Sequence, residues 1–390
     1  GRAGDNQSMP LSTSILHILQ YEALANALKL PIYNSNAVIV SHLFSVRKHL
    51  RRRLTTIFNS RCKPHVYWVS ASGKSNKRQY LVNYVVLFYE ESLLNLSLVP
   101  FVQPVGEDAQ RLFHGRGHRW PGLEHINIDW YRPLALITLY AEEEIQQLRG
   151  LAALLVELVG ALQVVVQYRC RAGAPFECLH GDMPQQMVIH EHQLAYQLHL
   201  NRSQNTGLFL DMANGRRWVQ EHAKGRNVLN LFAYTCGFSV AAIAGGATKV
   251  VNIDMSKGAL SHGRENHRLN GQDVSRVIFE GVNLFKSWGR VKKFGPYDLL
   301  VCDPPTFQKG SVDIRRDYAK ILRRLPEYMN PGADLLLCLN APDLGEDFLL
   351  DQVAEHAPQC RFVERVANPE VFAEAQPGRG LKVLHFRFNG

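Results

Sequence analysis

Apolar positions in the second half of the chain cluster in short runs rather than in alternation with polar residues. Residues 228–232 and 297–302 are two such runs, rich in Leu and Val. Runs of this kind are typical of strands buried on both faces, as in a parallel sheet covered by helices. Residues 239–244 are small and apolar, which favours a helix packed flat on a sheet. The pattern predicts an α/β region in which residues 227–254 form a strand, a tight turn, a helix and a second strand.

Between residues 111 and 200 the pattern is typical of a β-rich module with one helix. Residues 134–140 and 163–168 are predicted strands, and residues 190–200 are predicted to form one strand that leads into the α/β region. Residues 142–160 are predicted to be helical, with acidic residues in the first turn, where the helix dipole favours negative charge.

Polar residues follow the predicted buried strands. Asp254 ends the second strand 17 residues after Gly237, near the spacing at which a carboxylate meets a ribose hydroxyl in nucleotide-binding folds. Gly237 is predicted to lie in the turn, where the lack of a Cβ lets a ligand approach the backbone. Asp303 ends the third strand and is followed by Pro304 and Pro305, which fix the shape of the loop. These features predict a nucleoside-containing cofactor, and the absence of a G-x-G-x-x-G motif argues against a dehydrogenase.

The stretch from residue 204 to residue 307 resembles the bacterial 23S ribosomal RNA methyltransferases, in their cytosine carbon-5 and guanine-N7 branches. The matching motifs are Gln-Asn-Thr-Gly-Leu-Phe-Leu-Asp (204–211), Asn-Leu-Phe-Ala-Tyr-Thr-Cys-Gly-Phe (230–238), Val-Asn-Ile-Asp-Met-Ser (251–256) and Asp-Pro-Pro-Thr-Phe (303–307). With a segment that begins at Arg111, the resemblance covers residues 111–390. It implies an α/β fold of the class I S-adenosylmethionine (SAM)-dependent methyltransferases, a Rossmann-like, seven-stranded, mostly parallel sheet preceded by a β-rich α+β module. Residues 378–388 would form its closing antiparallel strand.

The resemblance implies SAM as the cofactor and assigns residues to its site. Phe232, Tyr234 and Gly237 would shape the methionine pocket, and Asp254 would bind the ribose hydroxyls. Asn283 stands where many relatives have an Asp that accepts from the adenine amino group. The further cofactor-binding positions that it implies are Thr206, Gly207, Asp211, Met255 and Asp303.

The resemblance also bears on the chemistry. Cytosine carbon-5 relatives carry a Ser-Cys-Ser whose thiolate adds to the base; aligning the preceding strand puts Asn340 at that cysteine and Cys338 two residues earlier. The guanine-N7 branch has asparagine here and Asp-Pro-Pro-Thr-Phe, as this chain does. The resemblance therefore implies methylation of a guanine ring nitrogen of 23S rRNA, with Asp303 and Asn340 as hydrogen-bonding clamps and Phe307 stacking on the base. The catalytic set is Asp303, Pro304, Pro305 and Asn340.

Three alternatives stay open: cytosine carbon-5 transfer through Cys338, transfer to a small molecule, and a non-catalytic protein that binds RNA or assists assembly. The resemblance implies RNA as the partner, and the positive charge suits an anionic partner without specifying which one. The chain has 390 residues and a net charge of +9, and residues 1–110 hold 12 Lys and Arg against 6 Asp and Glu. Residues 47–53 are predicted to form a basic helical face, either for phosphate contacts or simply solvated. Arg315, Arg316 and Lys309 are further candidates for phosphate contacts.

The predicted organisation is a basic region (1–110), a β-rich module (111–200) and the methyltransferase domain (201–390). Seven scattered cysteines without a C-x-x-C pair predict reduced thiols in a cytoplasmic protein, with no zinc site. His190, Glu191 and His192 are a weak metal motif because a third ligand on the same face is lacking. No membrane segment is predicted, and nothing indicates the oligomeric state.

Overall fold

The computed structural model describes residues 65–75, 78–88, 106–200, 204–308 and 310–390, and of the first two segments the backbone alone. The chain divides into two compact units, residues 1–105 with 143–164 and residues 106–142 with 165–390. The predicted basic face at 47–53 and Lys309 lie outside the described residues. The three-domain organisation predicted from the sequence therefore stays a prediction.

The first unit contains an antiparallel hairpin and one helix. The hairpin pairs β1 (His65–Ser75) with β2 (Arg78–Phe88). Helix α1 spans Ile145–Val159, close to the prediction, but the predicted placement of acidic residues in its first turn is wrong. Glu144 is the extended residue before the helix, and its N–H donates to the carboxylate of Glu143 at 3.0 Å. The helix therefore begins directly after the acidic residues 142–144.

The β-rich part of the second unit is a five-stranded sheet. Its strands are β3 (Gln110–His114), β4 (Ile126–Tyr131), β5 (Leu134–Leu139), β6 (Gln163–Tyr168) and β7 (Phe176–His180). They lie in chain order across the sheet, and β4 pairs antiparallel with both β3 and β5. All residues of β4 and β5 are buried. The prediction of strands at 134–140 and 163–168 is confirmed.

The prediction of one strand over residues 190–200 is wrong. The chain forms a hairpin of β8 (Gln186–Glu191) and β9 (Leu194–His199). His192 and Gln193 make its two-residue turn with left-handed φ values of 50° and 67°. Turns of this kind match the twist of the flanking strands but favour Asn-Gly or Asp-Gly. The sequence His-Gln gave no such signal.

The remainder of the second unit is an α/β domain. Its strands are β10 (Asn227–Leu231), β11 (Lys249–Asp254), β12 (Val277–Gly281), β13 (Tyr297–Cys302), β14 (Phe307–Gln308), β15 (Val312–Asp313), β16 (Met329–Leu339), β17 (Cys360–Arg365) and β18 (Lys382–Phe388). Its helices are α2 (Ala213–His222), α3 (Gly237–Ala244), α4 (Lys257–Leu269), α5 (Trp288–Phe294), α6 (Ile314–Leu322), α7 (Leu325–Tyr328) and α8 (Glu346–His356).

Seven of these strands form one sheet in the order β12-β11-β10-β13-β16-β18-β17. The first five strands are parallel, and β18 runs antiparallel to both β16 and β17. The predicted strand at 228–232, the helix at 239–244 and the closing antiparallel strand are confirmed. Among the described residues, no helix combines the length and apolar character needed to cross a membrane.

The side chains of β16 alternate between two hydrophobic clusters, one on each face of the sheet. Leu335, Leu337 and Leu339 belong to one cluster, whereas Leu336 and Cys338 belong to the other. Burial on both faces explains why the strands are mostly apolar instead of alternating between apolar and polar residues. The chain order reverses between β10 and β13, and at such a point the loops after the two strands diverge and leave a crevice.

Candidate active site

The loop that follows β10 has an unusual backbone. Phe232, Tyr234 and Cys236 all adopt left-handed φ values, of 58°, 48° and 63°. Such values are rare for residues other than glycine and, for bulky side chains, imply local strain that the surroundings must offset. The loop is held from the neighbouring strand: the carboxylate of Asp254 accepts the N–H of Tyr234 at 2.8 Å and that of Ser256 at 2.7 Å. Both oxygens of Asp254 are thus oriented before any ligand arrives.

Gly237 does not lie in the turn as predicted but opens helix α3, and its φ is not left-handed. A Cβ at this position would lie 3.3 Å from Cδ of Arg216 and 3.4 Å from Cδ1 of Leu208. The glycine therefore leaves room for the Arg216 side chain. The positive φ values expected of a glycine turn are carried by the non-glycine residues of the preceding loop.

A cavity of about 500 Å³ opens above the ends of β10, β11 and β13, and we call it the first cavity. Its volume is in the range of small-molecule sites. It brings together most of the predicted cofactor and catalytic positions, namely Gly207, Asp211, Phe232, Tyr234, Gly237, Asp254, Met255, Asp303, Pro304, Pro305, Phe307 and Asn340. Its wall is completed by Val282 and Leu284, which the sequence analysis did not single out.

Two predicted cofactor residues do not line the first cavity. The Oδ1 atom of Asn283 accepts the N–H of Phe285 at 2.9 Å and caps a short helical turn. Thr206 lines a neighbouring cavity, and its backbone carbonyl accepts the N–H of His199 at 2.8 Å. Their roles at the cofactor stay predictions.

A buried ion pair that the sequence analysis missed lies beside the first cavity. Arg216 on α2 donates to both carboxylate oxygens of Glu191, at 2.6 and 2.8 Å, and to the carbonyl of Phe209 at 2.8 Å. Both side chains are at most 4% exposed. Glu191 is the middle residue of the His-Glu-His motif. Both of its carboxylate oxygens bind Arg216, so this carboxylate is not available as a metal ligand. No group of three metal-ligating side chains comes together in the part of the chain that the structure describes.

Two further carboxylates line the first cavity. Burial raises the pKa of Asp303 to about 7, with a contribution from the negative charge of Asp211, while Arg216 opposes the shift. Burial also raises the pKa of Asp211, against the charges of Arg111 and Arg216. The two acids therefore titrate closer to neutral pH than free carboxylates do. A cationic ligand would favour their ionised forms.

The segment after β16 places Asn340 and Cys338 in different environments. Asn340 follows the last residue of the strand and is exposed in both cavities, and its carbonyl accepts from the Thr306 hydroxyl at 2.5 Å. Cys338 is fully buried within the strand. Burial raises the pKa of its thiol well above the usual range. Cys338 therefore lines neither cavity, whereas Asn340, which lies beyond the end of the strand, lines both.

A second cavity of about 420 Å³ adjoins the first, and Gly207, Asp211 and Asn340 line both. It is polar and rich in basic groups: Arg111, His114, Arg116, His118, Arg169 and Arg379. The carboxylate of Asp129 accepts from Arg111 at 2.7 and 3.1 Å. This cavity was not predicted because its walls come from segments more than 200 residues apart in sequence.

Arg315 and Arg316, the other proposed phosphate contacts, begin helix α6. Each already has an acidic partner: Arg315 pairs with Asp343, and Arg316 pairs with Asp317 at 2.7 Å. Their side chains are 47% and 66% exposed. The Arg315–Asp343 pair is exposed on both sides and therefore weak, so Arg315 can exchange partners at little cost. Arg316 instead donates to both oxygens of Asp317, whose side chain is only 1% exposed, so this arginine is held in place.

Comparisons with known proteins identify the family to which the chain belongs. The model of the S-adenosylmethionine-dependent methyltransferase family matches residues 110–387. The chain is 34% identical over 214 residues to ribosomal RNA large subunit methyltransferase I of Erwinia tasmaniensis, an alignment that covers 52% of this chain and 54% of the relative. It is 30% identical over 299 residues to the protein of the same name from Serratia proteamaculans, covering 71% and 74%. The chain thus spans about half the length of the first of these relatives.

Among solved structures, the chain is similar to SMU.776, described as a methyltransferase, in complex with SAH. The TM-score is 0.65 at 25% identity, and the match covers 72% of this chain and 75% of that one. These findings confirm the class I methyltransferase fold and SAM as the cofactor. The oriented carboxylate of Asp254 and the apolar wall of the first cavity suit a nucleoside of this kind. The chain belongs to the family of S-adenosylmethionine-dependent methyltransferases.

Proposed function

We propose that the protein methylates a base of 23S ribosomal RNA and that the acceptor is the ring nitrogen N7 of a guanine. The RNA substrate is supported by the names of the relatives, which are large-subunit ribosomal RNA methyltransferases. It is also supported by the second cavity beside the first, since the arginines that line it, among them Arg116, Arg169 and Arg379, favour a polyanionic partner.

The choice of a ring nitrogen rests on one observation. No cysteine of the described residues lines either cavity, and the thiol of Cys338 is fully buried with a pKa far above neutrality. Cytosine carbon-5 is unreactive without a nucleophile that adds to the ring, and the thiolate is the reactive form of cysteine. The site therefore favours an acceptor that needs no covalent help.

The residues of the first cavity have separate tasks in holding the cofactor. Asp254 offers its remaining lone pairs to the ribose hydroxyls, because two backbone N–H groups already fix its orientation. Phe232 and Tyr234 supply apolar surface in the strained loop, and Asp303 contributes a carboxylate to the same cavity. When bound, SAM supplies a methyl group that its positively charged sulfur activates for attack.

Guanine N7 carries a lone pair, so methylation at this atom removes no proton and requires no general base. Transfer would form a bond between the methyl carbon and N7 and break the bond between that carbon and the cofactor sulfur. The sulfur would keep the electron pair and leave as a neutral thioether, and the purine would take on the positive charge. Asp303 in its ionised form stabilises that charge, because a carboxylate in a partly water-excluded site acts strongly on a nearby cation. Asn340 fixes the base edge by hydrogen bonding, and alignment at near-attack distance accounts for most of the rate. The base must leave its stack to reach this site.

The test is an incubation of the full chain with methyl-labelled SAM and unmodified 23S and 16S transcripts. The RNA is digested, and the labelled nucleoside is identified by mass spectrometry. Label in 7-methylguanosine from 23S RNA is expected. Label in 5-methylcytidine would overturn the choice of acceptor and return Cys338 to the mechanism. Bound SAM without label in any RNA would favour the non-catalytic alternative.

A further inference from the structure

Glu374 is held rigidly at the wall of the second cavity. It lies between the helical turn Glu370–Phe372 and β18. The N–H of the next residue, Ala375, donates to the carbonyl of Gly117 at 2.7 Å. A Cβ on Gly117 would lie 2.5 Å from the Ala373 carbonyl, so the two segments are in direct contact. The backbone on both sides of Glu374 is thereby fixed against the β-rich module.

The carboxylate of Glu374 makes few contacts with other polar groups among the described residues. Its closest described contact is a long one, 3.5 Å from Oε1 to Nε2 of His114. No arginine or lysine of the described residues forms an ion pair with it, although its side chain is only 18% exposed. The other two carboxylates of the second cavity differ: Asp129 is taken by Arg111, and Asp211 also faces the first cavity.

The neighbours of Glu374 favour an acceptor rather than a donor role. His114 accepts from Arg111 at 2.7 Å through Nδ1, which leaves the Nε2 hydrogen facing Glu374. Burial, with the charges of Arg111 and Arg116, lowers the pKa of His114 to about 3, so its ring is neutral. Burial raises the pKa of Glu374, while the nearby charges of His118 and Arg379 favour its ionised form.

We propose that Glu374 determines the choice of base by accepting hydrogen bonds from N1–H and the 2-amino group of the target guanine. This inference rests on the proposed function. N7 and the edge that carries these two donors lie on opposite sides of a purine. A guanine with N7 at Asn340, where the two cavities meet, directs its N1 edge into the second cavity. Arg116 and Arg379 are placed there to donate to its O6 atom or to a flanking phosphate.

The same carboxylate disfavours cytosine. With carbon-5 towards the cofactor, cytosine presents O2 and N3 to the second cavity, and both are acceptors. A carboxylate that accepts at this position offers no donor to these atoms and leaves them without a partner. A site built to bind donors rejects analogues that lack them far more strongly than an apolar site does. Glu374 therefore supports guanine independently of the burial of Cys338.

The test uses RNA substrates that contain the nucleotide identified as the methylated position by the labelling experiment. Two RNAs are prepared, one with guanine and one with inosine, which lacks only the 2-amino group. Wild type is expected to lose roughly 10- to 100-fold in kcat/KM on inosine. Glu374→Ala and Glu374→Gln are expected to lose a similar factor on guanine and to show little further difference between the two RNAs. Glu370→Gln, an exposed change in the same segment, serves as the control and behaves as wild type.

SAM affinity and the melting temperature are measured for every variant, and both are expected to stay at the wild-type value. If Glu374→Ala melts early, the isosteric Glu374→Gln decides. Equal discrimination against inosine by wild type and Glu374→Gln would overturn the role of Glu374 while methylation of guanine still supports the proposed function. Label in a cytosine, or in no RNA, overturns the proposed function and this inference with it.

Discussion

The carboxylate of Asp254 accepts the backbone N–H of Tyr234 at 2.8 Å, so the end of β11 fixes the strained loop that follows β10. One residue thus prepares the cofactor site in two ways. It positions a loop in which three non-glycine residues have left-handed φ values, and it presents its own oriented oxygens to a ligand. The strain remains because the native contacts outweigh it.

Asp254→Ala is expected to weaken SAM binding by roughly 10- to 100-fold, because charge-assisted hydrogen bonds are lost and the loop is released. Isothermal titration calorimetry measures the dissociation constant directly. Asp254→Asn is the matched variant: its single carbonyl can accept from one N–H, so an intermediate affinity is expected. Wild-type affinity in Asp254→Ala would show that this carboxylate does not hold the ribose.

Cys338→Ala is expected to keep methyl transfer within about twofold of wild type, because a thiol in the core takes no part in transfer to a ring nitrogen. The free energy of unfolding is expected to fall by about 1–2 kcal/mol, since a buried atom is removed. Rate assays and urea denaturation measure the two effects. Asn340→Ala is the contrasting change, with a large loss of kcat/KM and unchanged stability. Abolished transfer in a folded Cys338→Ala would restore covalent catalysis.

The sequence predicted the elements whose signals are local. The apolar runs of β10 and β13 are visible because both faces of each strand are buried. Asp254 and Asp303 were identified because each directly follows such a run. In contrast, the hairpin turn at His192 and Gln193 has no glycine or asparagine, so the strand prediction continued through it. Turn geometry imposed by tertiary contacts leaves no mark in residue type.

The missed parts of the site depend on contacts between distant segments. Glu191 and Arg216 belong to a hairpin and a helix, and their pairing is invisible in either segment alone. The wall of the second cavity joins Gly117 to Ala375, which are far apart in the chain. Both segments are rich in polar residues, so neither Glu191 nor Arg216 stands out in the sequence as a charge that will be buried and will require a partner.

Glu191→Gln is expected to lower the free energy of unfolding by about 3–5 kcal/mol, because it leaves the buried Arg216 without its counter-charge. Urea denaturation at neutral pH measures the change. Glu221→Gln is the matched control, since it removes a carboxylate from the Arg217–Glu221 pair, whose side chains are 62% and 61% exposed. The control is expected to unfold at the wild-type urea concentration. Equal effects in both variants would show that the buried pair adds no more stability than the exposed one.

SAM affinity is expected to rise as the pH increases from 6 to 8. The pKa of Asp303 is about 7 because of burial and the charge of Asp211, and a bound cation favours the ionised carboxylate. Binding therefore releases a proton below pH 7, and the affinity levels off above the pKa. Calorimetry in buffers of different ionisation enthalpy measures both the affinity and the proton release.

Asp303→Asn removes this titration, so its SAM affinity is expected to be weaker at pH 8 and independent of pH. The stability of the folded protein provides a second measurement, and it is expected to change with pH in the opposite direction to the SAM affinity. Between the ordinary carboxyl pKa and about 7, the folded protein retains a proton that the unfolded chain has released, so wild-type stability falls as the pH rises through this window. The variant lacks that loss, and its melting temperature is expected to exceed that of wild type most clearly above pH 7. A pH-dependent affinity that persists in Asp303→Asn would assign the titration to another group, with Asp211 the next carboxylate to test.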